Sequence, residues 1–151
     1  MAVFGSIEEL RGAAGTDLGT SGWTTISQDR IDAFGECTED RQWIHVDPVR
    51  AAAGPFGGPI AHGYLTLSLV SVFLEDLIAV RGVRAAVNYG LDKVRFPAPV
   101  PAGARVRGHG RVLSVEEVPG GVQVALGLTV ECDAQDKPVC VAQSLARYLA
   151  D

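Results

Sequence analysis

The stretch Ile60–Val80, IAHGYLTLSLVSVFLEDLIAV, decides how the rest of the chain must fold. It is apolar at most positions and nearly long enough to span a bilayer. It also carries His62, Glu75 and Asp76, and no strongly basic flank sits at its start, which argues against a membrane span. The reading is a helix from Ala61 to Val80, ended by Gly82 and buried on most sides within a soluble fold. A helix of that kind needs other elements wrapped around it.

The wrapping lies downstream, where the period changes to two. Over Ala104–Val112 one face reads Ala104, Val106, Gly108, Gly110, Val112, and the other Arg105, Arg107, His109, Arg111. That alternation fits a half-buried strand. Val122 to Glu131 alternates in the same way, and Val139–Leu149 reads as a last strand. Ala85–Phe96 reads as the strand before them, ended by Pro97, Pro99 and Pro101. Short turns imply antiparallel neighbours. The fold class is therefore α+β, an antiparallel sheet around one long helix, with a sheet edge left for a second copy. Upstream, residues 6–14 read as a short helix, Gly15–Gly22 as a connection and Trp23–Ile26 as a short β-prone run. Ser27 caps a helix that ends near Thr38. Residues 39–60 read mostly as loop, with one helical turn after Pro48.

A chain of 151 residues fits a single domain, with residues 1–14 as an N-terminal extension. The formal net charge of -5 argues against a nucleic-acid binder. Within that acidic whole, residues 81–111 carry Arg81, Arg84, Lys93, Arg95, Arg105, Arg107 and Arg111 against Asp92 alone. Such a zone either meets a small anionic ligand or is solvated strand surface. Cys37, Cys132 and Cys140 form no metal spacing, and no secretory leader is apparent, so reduced thiols in a cytoplasm are expected.

One polar cluster stands in this apolar setting: Asp40-Arg41-Gln42-Trp43-Ile44-His45-Val46-Asp47, with His62-Gly63 beyond the glycine-rich loop. If the loop curls, a carboxylate and an imidazole at this spacing can converge on one water. The bland alternative is an interior His45 bonded to backbone, with Asp40 capping a turn. A metal held by His45, Asp47 and His62 is a further reading, though no HxH or HExxH pattern supports it. Cys37 has no assigned base, and no GxSxG, GxGxxG or Walker loop is present. Gly63 opens the long helix, where N–H groups lack intrahelical partners and a carbonyl oxygen can approach closely.

At these residues the chain resembles the MaoC-like family of R-specific enoyl-CoA hydratases and dehydratases. The family pattern runs as an aromatic, a spacer, G-D-x-N-P-[LIV]-H, five residues and a small residue. Here it reads Phe34, Thr38-Glu39-Asp40-Arg41-Gln42-Trp43-Ile44-His45 and Ala51. A second element, P-[IV]-[AV]-H-G-x-[LM], appears as Pro59-Ile60-Ala61-His62-Gly63-Tyr64-Leu65, and Lys93–Val100 leads family-like into Gly103. The resemblance implies a hotdog fold, Asp40 and His45 as the catalytic pair, Gly63 as the thioester-carbonyl site and Ser71 as a helper of the aspartate. It implies an acyl-CoA or acyl-carrier thioester substrate and a homodimer, and no cofactor or metal is expected. Glu39 for glycine, Gln42 for asparagine and Trp43 for proline depart from the pattern. They leave the pair intact and bear on how the loop is braced. The rival functions are a thioesterase on the same fold and a non-catalytic acyl-thioester binding module.

Overall fold

The computed structural model describes residues 1–150. β1 (Ala2–Phe4) leads into α1 (Ile7–Arg11), which Ser6 caps by accepting from the Glu9 N–H while the Glu9 carboxylate reaches back to the Gly5 N–H. This reciprocal arrangement resembles a capping box. Ile7 and Leu10, within the segment expected as an N-terminal extension, are buried in the core. β2 (Asp17–Thr20) occupies the stretch expected as a connection, and β3 (Thr24–Thr25) follows. α2 (Gln28–Thr38) starts where Ser27 accepts from the Arg30 N–H at 3.2 Å. The expected loop holds two short helices, α3 (Trp43–Val46) and α4 (Pro48–Ala52). Pro48 takes the first position of α4, and the Asp47 carboxylate caps it through the Arg50 N–H at 3.0 Å.

The apolar stretch is shorter and less evenly buried than its sequence suggests. α5 (Gly63–Ser68) and α6 (Val70–Leu77) meet at Leu69. Hydrogen bonds from the Leu69 N–H to the Leu65 carbonyl and from the Phe73 N–H to the Leu69 carbonyl carry the helix across that joint. The helix does not reach Val80. Ile78 turns extended, and β4 (Ile78–Val80) pairs in parallel with β1. Branched Ile78 and Val80 suit a strand, and β1 offers them a backbone partner in place of a last helical turn. Leu65, Leu69, Val70, Phe73 and Leu77 face the core, whereas Tyr64 and Val72 lie exposed on the opposite side.

The main sheet is built from β5 (Ala85–Arg95), β6 (Arg105–Val118), β7 (Gly121–Cys132) and β8 (Cys140–Leu149), with β2 and β3 both paired to β6. Its order is β2-β6-β7-β8-β5, and every pairing in it is antiparallel. β6, β7 and β8 follow one another as short turns require. β5 does not pair with β6 as sequence order suggests, but lies beside β8, with Ala85 opposite Leu149. The linker between β5 and β6 contains Pro97, Pro99 and Pro101. Its prolines carry no N–H for a ladder, and it crosses the sheet so that β6 lies beyond β8 and β7 from β5. On the way it passes the start of α5, where the Ala61 N–H donates to the Val100 carbonyl at 2.8 Å.

Glycines seat the helix on the sheet. A Cβ on Gly108 would meet the Phe73 side chain at 2.9 Å, and one on Gly110 would meet Leu77 Cδ1 at 2.9 Å. Filling either position would overpack the contact, at a cost of about 1–3 kcal/mol. The core divides into two clusters. One gathers Leu10, Leu18, Leu77, Val112, Val122 and Val124 around the C-terminal end of the helix. The other gathers Ile26, Ile31, Leu65, Phe73, Val106 and Val130 towards its N-terminal end. No described helix is long and apolar enough to cross a membrane.

Candidate active site

The site is assembled at the N-terminal end of α5, starting from a sharp reversal after α2. Glu39 adopts a left-handed conformation with φ 64° and ψ 9°. A non-glycine residue pays about 1–2 kcal/mol for that, and this is the position where the family pattern has glycine. The reversal folds Asp40 back over α2, where Gly35 leaves it room: a Cβ there would stand 3.0 Å from the Asp40 carbonyl oxygen and 3.2 Å from Val46 Cγ1. Arg41 secures the turn by a two-pronged ion pair with Glu36 at 3.0 and 2.9 Å. Trp43, standing where the pattern has proline, starts α3 and lays its ring against Gly54, with the Arg50 guanidinium 4.5 Å from the ring centre. The loop is thus braced by an aromatic-cation contact instead of a rigid backbone.

α3 carries His45, which is buried. Its Nδ1 lies 2.7 Å from the Ile60 carbonyl oxygen. A carbonyl can only accept, so Nδ1 carries the proton and Nε2 keeps its lone pair. Gln28 holds the same residue from the other side, its amide donating to the His45 carbonyl at 2.7 Å. Burial pushes the His45 pKa below the ordinary histidine value, assisted by His62 and opposed by the Ile60 carbonyl and Asp40. His45 is therefore a neutral imidazole at neutral pH with a free basic nitrogen.

His62 completes the group. Its Nε2 donates to the Asp40 carbonyl at 2.9 Å, and its ring stacks on His45 with centroids 3.9 Å apart and planes at 26°. One ligand-type atom from each of Asp40, His45 and His62 lies within 4.8 Å of the others. Stacked rings aim their in-plane lone pairs along nearly parallel sheets, which is poor geometry for two ligands of one ion. Asp47, the third member of the metal reading, is engaged in capping α4. The group suits the handling of a proton and a water better than a metal.

A cavity of about 410 Å³ opens beside the rings, walled by His45, Phe56, Ile60, Gly63, Thr66 and Phe96, with the proline-rich crossover closing it. Its size is that of a small-ligand pocket. Gly63 is the first residue of α5, so its N–H has no partner within the helix. Asp40 is exposed and does not form part of that wall. Ser71 does not join the cluster; it lies on α6 and accepts from the Asn88 amide of β5 at 3.3 Å. Phe96, Gln28 and the joint contact of His62 went unread in sequence, because each meets the site across a chain separation that no local spacing reveals; Thr66, one helical turn after Gly63, was within reach of the helical period and was missed.

The basic zone divides once folded. Arg105 pairs with Asp133 at 2.8 Å, Arg107 pairs with Glu131, and both lie over Trp23. They are satisfied strand-surface residues. Lys93 and Arg95 end β5 next to Phe96 of the cavity wall and have no acidic partner among the described ion pairs. Buried Cys140, its pKa raised to about 11 by burial, and buried Cys132, raised for the same reason, are poor nucleophiles.

An antiparallel sheet wrapped on one helix is the hotdog architecture. The MaoC-like domain matches residues 9–132, and the chain belongs to that family of hydratases and dehydratases. It is 50% identical over 151 residues to the 3-hydroxyacyl-thioester dehydratase Z of Mycobacterium tuberculosis, covering 99% of this chain and 100% of that one. It is 44% identical over 146 residues to Nodulation protein N of Rhizobium meliloti, covering 93% and 89%. An R-hydratase from Pseudomonas aeruginosa shares the fold with a TM-score of 0.76 at 24% identity, over 97% of this chain and 86% of that one.

Proposed function

We propose that the protein adds water across the double bond of trans-2-enoyl thioesters, giving (R)-3-hydroxyacyl thioesters, and catalyses the reverse dehydration. The observation that carries this is the neutral His45, its Nδ1 proton committed to Ile60 and its Nε2 free, beside the carboxylate of Asp40 and the start of α5. The thioester carbonyl accepts from the Gly63 N–H, which draws electron density from C3 and stabilises the enolate formed on attack. The water oxygen bonds to C3, its proton passing to the Asp40–His45 pair. The pair returns one proton to C2 from the same side, leaving the enzyme in its starting protonation state. The two groups handle the proton of one shared water, so neither is assigned as the sole acid or base.

The likeness to a thioester dehydratase over the full chain supports the substrate class. Lys93 and Arg95, exposed near the end of β5 and just before the cavity-wall residue Phe96 in the chain, favour a carrier with phosphates, such as coenzyme A. Val87, Tyr89 and Leu91 lie exposed on β5, the edge strand of the sheet, which favours a homodimer closed along that edge. The thiols favour a cytoplasmic setting.

The test is crotonyl-CoA mixed with the protein, followed by loss of enoyl absorbance and chiral analysis of the product. An (R)-3-hydroxybutyryl product is expected. Release of free thiol would indicate a thioesterase, an S product would overturn the stereochemistry, and no turnover on any enoyl thioester would leave a binding module.

A further inference from the structure

Two residues of the pair come from different supports. Asp40 sits in an exposed turn held open by a left-handed Glu39, and His45 sits on a helix of a single turn. One side chain touches both. His62 is 2% exposed, donates from Nε2 to the Asp40 main-chain carbonyl and lies flat against the His45 imidazole. Its position is itself enforced: the Phe34 ring stands 4.9 Å from it, and a Cβ on Gly35 would come 3.5 Å from its Cε1. His62 Nδ1 is buried with no protein partner. A nitrogen so placed is better tolerated bare than carrying an unmatched N–H, which agrees with the proton residing on Nε2. The two stacked histidines thus hold opposite tautomers, each fixed by one carbonyl.

We propose that His62 is the positioning residue of this active site, setting the separation between the Asp40 main chain and the His45 ring through a hydrogen bond on one side and a stack on the other. The inference rests on the hydratase reading above, and goes beyond it by giving a role to a buried residue outside the cavity wall. Displacement of a catalytic group by about 1 Å costs on the order of 10² in rate, so a single wedge of this kind is enough to govern turnover.

Two variants separate the two contacts. His62→Gln keeps a donor for the Asp40 carbonyl and removes the ring; His62→Phe keeps a ring for His45 and removes the donor. Each is expected to lower kcat on crotonyl-CoA by roughly 10–10² while KM stays within a few-fold. In an Asp40→Asn background, His62→Phe is expected to cost little more, because the carboxylate it positions is gone. A loss of the same size in both backgrounds, a change confined to KM, or unchanged kcat in both variants would overturn the proposal. A measurement on the unaltered protein stands beside these should a variant fail to fold. Side-chain nitrogen resonances should show His62 protonated at Nε2 and His45 at Nδ1, and the same tautomer at both would sink the tether. If the unaltered protein hydrates no enoyl thioester, the function reading fails first; if it does and the His62 outcomes are wrong, only this inference fails.

Discussion

The two ends of the helix are built on opposite terms. At its C-terminal end, α1 and the β1–β4 pair close the sheet with apolar groups, Leu10 and Leu77 being 0% and 1% exposed. The polar residues nearby stay outside, as in the exposed Arg11–Glu117 pair. At its N-terminal end, His45, His62 and Thr66 are buried, and the orphaned buried atoms, Gln28 Oε1 and His62 Nδ1, are found there as well. Buried polar atoms without partners cost stability. One end therefore holds the molecule together, and the other spends part of that stability on chemistry.

This division has consequences of decreasing size. Asp40→Asn and His45→Gln should each lower hydration of crotonyl-CoA by roughly 10²–10⁴, and the double variant should be little worse than either. Their urea unfolding should remain cooperative; a variant with full activity would remove that end from the chemistry. Gly63→Val should follow, with a loss of about 10²–10³. A Cβ at that position already meets the Phe96 ring at 3.1 Å, so the ring must swing aside and the approach to the N–H narrows. Near-normal turnover in this variant would free Gly63 of any role in carbonyl binding.

At the closed end the expectation reverses. Leu10→Ala should lose about 2–5 kcal/mol in urea unfolding with kcat on the remaining folded protein unchanged. A fall in kcat on folded protein would show the ends to be coupled.

Titration separates the ends as well. The His45 pKa lies below its unfolded value. Its contribution to stability is therefore complete above the ordinary histidine range and is lost as pH falls from there through the lowered value. Turnover should decline on acidification over the same window, since attack needs the neutral ring. Tyr148, buried at the closed end, has a raised pKa, so its contribution is complete below the ordinary tyrosine range and is lost as pH rises through it. An acid limb in the unfolding free energy that survives in His45→Gln would detach it from this residue. The smallest effect belongs to Glu39→Gly. Relief of the left-handed strain, about 1–2 kcal/mol, is offset by the about 0.5–1 kcal/mol that glycine loses in chain entropy. A rise in stability of up to about 1.5 kcal/mol is expected by urea midpoint; a fall would show the turn to be unstrained.

Much of this was legible in the chain itself because it is local. The Ser27 cap, the Pro48 turn and the alternation of β6 and β7 depend on neighbours a few residues apart. The Asp40–His45 spacing and the Gly63 start of a helix were readable for the same reason. What escaped depends on distant partners. β5 lies against β8 rather than β6, and three residues at the N-terminus form a strand only because Ile78–Val80 receives them. The same partner explains why the helix stops early. Ser71 was implied by the family resemblance as a helper of the aspartate, and in the fold it accepts from Asn88 of β5. His62 stood in the quoted motif, but its bond to the carbonyl of Asp40 carries no sequence signature, since any residue at position 40 offers that carbonyl.

The parallel pairing of Ala2–Phe4 with Ile78–Val80 also bears on how the chain reaches this structure. β6–β7 and β7–β8 are hairpins with short connections and can form as soon as their residues meet. β1 must instead wait for a partner made far later in synthesis, and contacts of such long sequence separation form slowly. Ala2–Phe4, made before every other strand of the described fold, are thus among the last of them to dock, along with the α1 plug that follows them. Until then Leu10 and its apolar neighbours lack their cover, so a chaperone or a protease acting on the nascent chain would find its opening at the closed end, far from the active site.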